Sequence, residues 1–109
     1  MPARVNAENF DAEVLQSDQP VLVDFYSDSC VPCKRMNPLL AELEQTYAEI
    51  LKIVKVNVNF DRELAERYAV QAAPTLVFFQ NGTESGRLRG AVNKAQLTEL
   101  IEQLGKTEE

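Results

Sequence analysis

The chain has 109 residues, enough for one domain with a buried core and too few for two. Apolar residues make up 45 % of it, which excludes a disordered chain. A net charge of −6, with no histidine and no basic cluster, argues against nucleic acid or an anionic membrane as a partner.

The N-terminal Met1-Pro2-Ala3-Arg4-Val5-Asn6 lacks the apolar stretch of a signal peptide, so the expected location is cytoplasmic. A short strand is expected around Ala3-Arg4-Val5. Asn6 is placed to cap a short helix with Phe10 and Val14 on its inner face, ended by Ser17-Asp18-Gln19-Pro20. Val21 to Tyr26 reads as a buried strand. Met36, Leu39, Leu40, Leu43 and Tyr47 fall at i, i+3, i+4, i+7 and i+11, one face of a helix running from about Val31 to Tyr47. Pro38 lies inside that helix and should kink it.

Ile50 to Val58 alternates in part, with Val54, Val56 and Val58 on one side, and reads as the next strand. Asn59 or Asp61 is expected to cap a third helix with Leu64, Ala65 and Tyr68 inward. Thr75 to Phe79 is a strongly apolar strand. Asn81-Gly82 signals a hairpin into a returning strand, Thr83 to Arg89, with Gly86 a candidate bulge. Asn93 caps the last helix, helped by Gln96. Leu97, Leu100, Ile101 and Leu104 form its stripe, Gly105 is expected to stop it, and Lys106 to Glu109 to fray. The longest apolar run, Val70 to Phe79, is interrupted by Gln71 and Pro74 and is too short to span a bilayer. Strand and helix alternation closed by a hairpin and a helix implies an α/β fold, a mixed sheet with helices on both faces.

The two cysteines of the chain, Cys30 and Cys33, sit where the second strand hands over to the second helix. Pro32 suits a first helical turn, where its missing N–H would have had no partner. Cys30 therefore lies at the helix N-terminus, where free N–H groups and the positive dipole end favour a thiolate. Two thiols at this spacing suit dithiol–disulfide exchange. A structural disulfide is disfavoured in a cytoplasmic chain, and a zinc site wants four ligands that this sequence does not supply.

Three other residues break their local pattern. Asp24 is an acid inside an apolar run: either a strand-end aspartate satisfied by backbone amides, or a buried acid whose pKa is raised by desolvation. Lys55 interrupts Ile53-Val54-Lys55-Val56: either a charge partner for Asp24, or an outward lysine on a half-exposed strand. Pro74 falls in a predicted central strand, where proline is out of place unless it is a trans-proline at the strand's first residue, which needs no special role.

Taken together, these residues resemble the thioredoxin family over about Val5 to Leu104. The resemblance rests on Val23-Asp24-Phe25, Cys30-x-Pro32-Cys33-Lys34, Pro38, Lys55-Val56-Asn57, Ala73-Pro74-Thr75, Asn81-Gly82 and Gly90-Ala91. It implies a thioredoxin fold, a five-stranded mixed sheet with four helices in a single domain. It implies protein disulfide reduction, with Cys30 attacking and Cys33 resolving, and with Asp24 behind Cys33 exchanging protons through water. It implies a cis bond at Pro74 facing the cysteines, and a groove in which the Ala73-Pro74 backbone pairs with an extended substrate chain. Ser29, Val31, Pro32, Gly90 and Ala91 would border that groove. The implied partners are protein disulfides and an external thioredoxin reductase, for a monomer with no bound cofactor or metal.

Ser29 stands where the family usually has tryptophan, Val31 where it has glycine, and Tyr26 where it has a second tryptophan. These departures touch partner choice and redox potential and leave the thiols unchanged. The alternative function is a thioredoxin-like binding or holdase module whose thiols never turn over.

Overall fold

The computed structural model describes residues 2–107. Five strands form one sheet in the order β1-β3-β2-β4-β5: β1 (Ala3–Arg4), β2 (Val21–Tyr26), β3 (Lys52–Asn57), β4 (Thr75–Gln80) and β5 (Thr83–Arg89). β1 and β2 run parallel to β3, while β4 runs antiparallel to both β2 and β5. The sheet is flanked by α1 (Val31–Thr46), α2 (Arg62–Arg67), α3 (Lys94–Thr107) and a short π-helical turn at Asp11–Leu15.

Alternation along the central strands sorts the core into two layers. Val21, Val23, Phe25, Val54, Val56, Val77 and Phe79 face one side with Phe10, Val14 and Leu64. Leu22, Ile53, Leu76 and Phe78 face the other, under Met36, Leu40 and Leu43 of α1 and Leu97 and Ile101 of α3. The sheet is therefore covered on both faces, as the alternation of elements implies. Tyr68 closes the first layer, its ring edge-on to Phe79 at 5.2 Å between centroids.

Local signals act largely where the sequence puts them. Asn81 and Gly82 both take positive φ, the backbone of a tight hairpin turn. The β4–β5 register slips between Phe78↔Gly86 and Phe79↔Glu84, so the bulge falls beside Gly86. Asn93 and Gln96 form a reciprocal cap, each side chain accepting from the other's backbone N–H.

Four expectations need correction. Asn6 does cap a turn, its Oδ1 accepting from the N–H of Glu8 and Asn9, but the segment that follows is π-helical, with Gln16 N–H reaching Asp11 O. β3 begins at Lys52 because Ile50 and Leu51 donate to Tyr47 O and finish the exit from α1. Asp61 occupies the N-cap position of α2 yet does not cap it; its Oδ1 accepts from Ala7 N–H instead. α3 continues through Gly105 to Thr107. Glycine costs about 1 kcal/mol in a helix interior, too little to end a helix anchored by Leu97 and Ile101. The side chain of Leu104 and residues 108–109 lie outside what the structure describes. Among the described residues, no helix is long and apolar enough to cross a membrane.

Candidate active site

β2 ends at Tyr26, and the chain turns through Ser27-Asp28-Ser29 into α1. Cys30 N–H donates to Ser27 O at 3.3 Å. Asn57 Nδ2 donates to Asp28 Oδ2 at 3.2 Å, while Asn57 Oδ1 accepts from the N–H of Asn59 and Phe60. One buried asparagine thus joins the loop before Cys30 to the loop after β3.

Cys30 is the N-cap residue of α1, with Pro32 in the first turn. Cys30 and Cys33 are joined as a disulfide, their Cα atoms 5.2 Å apart. Cys30 Sγ accepts from Cys33 N–H at 3.1 Å, the role that a serine or aspartate oxygen fills in other caps. A thiolate at that position has a donor and the positive end of the helix beside it, and both lower a thiol pKa. Cys33 is buried at 3 % exposure, whereas Cys30 is half-buried and flanked by exposed Ser29, Val31 and Pro32. A partner therefore reaches Cys30 before Cys33.

Behind the disulfide, Asp24 is 1 % exposed and, among the described residues, neither carboxylate oxygen has a hydrogen-bond partner. It shares the alternation of Leu22 and so lies on the α1 side of the sheet. Burial pushes its pKa up to about 6, and the Lys55 charge opposes that rise. Lys55 is the register partner of Asp24 on β3. Its Nζ donates to Asn37 Oδ1 at 3.0 Å and lies 4.4 Å from the centre of the Tyr26 ring. A cleft of about 250 Å³ lined by Tyr26, Cys33, Asn37 and Lys55 opens here, roomy enough for several waters.

The Ala73–Pro74 bond is cis. Thr75 pairs with Phe25, so Pro74 lies at the end of the sheet from which the chain enters Cys30. Pro74 O accepts from Gly90 N–H at 2.8 Å, which brings Gly90 and Ala91 beside it. Gly90 has φ +82, a left-handed backbone that glycine takes without strain. Among the described residues, nothing occupies the backbone N–H or carbonyl of Ala73. A groove of about 340 Å³ runs alongside, lined by Ser27, Val58, Arg62, Glu66, Gln71 and Ala73.

A family model described as Thioredoxin matches residues 1–103. The chain belongs to the thioredoxin family. It is 38 % identical over 98 residues to the thioredoxin of Acidithiobacillus ferridurans, covering 90 % of this chain and 91 % of that one. It is 39 % identical to thioredoxin 1 of a Nostoc species, covering 92 % and 94 %. It is 41 % identical to thioredoxin C-2 of Corynebacterium nephridii, covering 88 % and 89 %. The five-stranded sheet and flanking helices are the thioredoxin fold. Thioredoxins are protein-disulfide oxidoreductases that act on protein disulfides and are re-reduced by a thioredoxin reductase. This chain is a protein disulfide reductase of that family, with Cys30 and Cys33 as its cysteine pair.

The structure gathers Cys30, Cys33, Asp24 and Lys55 around one end of β2, with Pro74 and Gly90 at the same end. The sequence assigns no site role to Asn37 or Asn57, nor to the groove residues Val58, Arg62 and Glu66. Asn37 had a signal: it stands four residues after Cys33, one turn along the same helix face. Asn57 belongs to the Lys55-Val56-Asn57 stretch of the family resemblance, but nothing there points to its bond with Asp28.

Proposed function

We propose that Cys30 is the attacking thiol, Cys33 the resolving thiol and Asp24 the group that moves the Cys33 proton. The observation that carries this reading is the asymmetry of the pair, an accessible Cys30 at the helix N-terminus and a buried Cys33 beside the cleft. Cys30 thiolate attacks one sulfur of a substrate disulfide, forms a mixed disulfide and releases the first substrate thiolate. Cys33 gives its proton through water to the Asp24 carboxylate and attacks Cys30 Sγ. The Cys30–Cys33 disulfide forms, and the second substrate thiolate leaves. Two electrons pass to the substrate, and an external reductase restores the dithiol.

The unoccupied N–H and carbonyl of Ala73 suit an extended substrate chain added alongside cis-Pro74. Ser29, Val31, Pro32, Gly90 and Ala91 border the path that such a chain takes to Cys30. Lys55 moderates the charge on Asp24. The protein acts as a cytoplasmic monomer, consistent with a reducing compartment in which a cysteine pair is catalytic.

The test is turbidity from insulin disulfide reduction with dithiothreitol as the electron source. The protein should accelerate precipitation well beyond dithiothreitol alone, and Cys30→Ser should abolish the gain. Equal rates with and without protein would remove turnover and leave a binding module.

A further inference from the structure

Cys33 and Asn37 stand one turn apart on α1, on the side that faces the sheet. Across from them, Asp24 and Lys55 are register partners on the same face of β2 and β3. A lysine beside a buried, partnerless carboxylate should close onto it, because both oxygens lack a donor. Here it does not. The Lys55 ammonium donates to Asn37 Oδ1 at 3.0 Å and rests against the Tyr26 ring at 4.4 Å. An amide oxygen and an aromatic face together hold a cation without neutralising it.

We propose that Asn37 is a positioning residue that holds Lys55 short of Asp24, so that Asp24 remains an unpaired proton carrier beside Cys33. This rests on the reading of Asp24 as the group that moves the Cys33 proton. A closed ion pair would hold Asp24 as a weakly basic carboxylate, poor at taking a proton from a thiol. A lysine turned out to solvent would remove the charge that opposes desolvation, and Asp24 would hold its proton more tightly and accept one less readily. The tether keeps the charge close enough to be felt and too constrained to pair. The other charged or titratable groups lining the cleft are Cys33 and Lys34 from α1, Tyr26 from β2 and Asp28 from the loop. Asp28 accepts from Asn57 and is exposed, so a pairing with Lys55 there would be screened by solvent and weaker than one with buried Asp24. β4 presents apolar Leu76 opposite Asp24.

Removing the acceptor frees an ammonium whose half-buried stem keeps it near the cleft, and its register partner Asp24 is a buried carboxylate with both oxygens unpartnered among the described residues. The experiment follows the Asp24 carboxyl carbon by NMR across a pH titration of the oxidised, isotope-labelled protein. In Asn37→Ala, Asp24 should hold its proton about tenfold less tightly than in the wild type, as expected of an opposite charge at close range. In a Lys55→Gln background, adding Asn37→Ala should change nothing further, because the asparagine acts only through the lysine. An unchanged or tighter proton in Asn37→Ala overturns the proposal, and so does an equal effect of Asn37→Ala without Lys55. The rate at which Cys33 releases a preformed mixed disulfide, read against pH, separates the two claims. If the titration moves and this profile does not, the tether stands and Asp24 is not the proton acceptor.

Discussion

Asp24 and Lys55 lie in register on neighbouring strands, yet no hydrogen bond joins them. The ammonium bonds Asn37, and the carboxylate keeps both oxygens unpartnered at 1 % exposure. The site thus holds a buried acid whose ionised form is unfavourable, and that has a direct consequence for stability.

Burial raises the Asp24 pKa from 3.8 to about 6, against the opposing Lys55 charge. Between those two values the folded chain keeps a proton that the unfolded chain has lost, so stability falls as pH rises through this window. Above it the penalty is fully present; below it both states are neutral and the penalty vanishes. Asp24→Asn should therefore stabilise the protein by about 1–3 kcal/mol at about pH 8 and by little at about pH 3. Urea unfolding at the two pH values measures the difference. A variant less stable than wild type at the higher pH would make Asp24 a satisfied structural residue.

Accessibility ranks the two thiols once they are reduced. Cys30 sits at the helix N-terminus and Cys33 is buried, so iodoacetamide at neutral pH should label Cys30 at least about tenfold faster, since the thiolate is the reactive form. Timed quenching and peptide mapping give the order. Cys33 labelled first would reverse the assignment of attacker and resolver.

Ser29 and Val31 are both exposed beside Cys30, Val31 at 56 %. Serine offers no flat apolar contact, and the branched valine stiffens the turn and crowds one side of the sulfur. Chemistry with small or flexible disulfides should persist, while coupling to a thioredoxin reductase from another organism should be weak. Ser29→Trp with Val31→Gly should raise that reductase's kcat/KM by roughly two- to tenfold, the worth of one aromatic contact. No gain in the double variant would free these two positions from any part in partner choice.

Arg87 of β5 ties the exit of α2 to the sheet. Its guanidinium donates to Tyr68 O at 2.7 Å and Ala69 O at 3.4 Å, and pairs with Glu84. Ala69 carries φ +54, an unfavourable backbone for a residue with a Cβ, and the arginine holds the carbonyls on either side of that turn. Arg87→Ala should cost about 1–3 kcal/mol, the value of hydrogen bonds to a charged donor in a partly buried place. A lowered denaturation midpoint at constant slope would record it. An unchanged midpoint would show that the turn holds itself.

Much of this architecture was legible because it is written in short-range code. Val21-Leu22-Val23, the Met36–Leu43 stripe, the Asn81-Gly82 turn and the Asn93/Gln96 cap each act within a few residues. Pro74 advertised itself by standing where a strand should not hold proline, and the family resemblance gave that anomaly its cis form. The misses are contacts without a local pattern. Asn37 meets Lys55 across 18 residues, and Asn57 meets Asp28 across 29. No periodicity announces a side chain whose partner lies on another element. Gly105 misled because a helix stop is a balance of small terms, and the packed residues upstream outweighed it. The direction of Lys55 was open because a lysine on a strand fits either face, and α1 supplied the acceptor that decided it.

In the proposed cycle Cys30 carries the substrate and Cys33 releases it. Trapping tests it directly: react Cys33→Ser with insulin, digest under non-reducing conditions, and identify the mixed disulfide by mass. A stable Cys30–insulin adduct should form, and none with Cys30→Ser under the same conditions. An adduct formed through Cys33 in the Cys30→Ser protein, with none at Cys30, would contradict it.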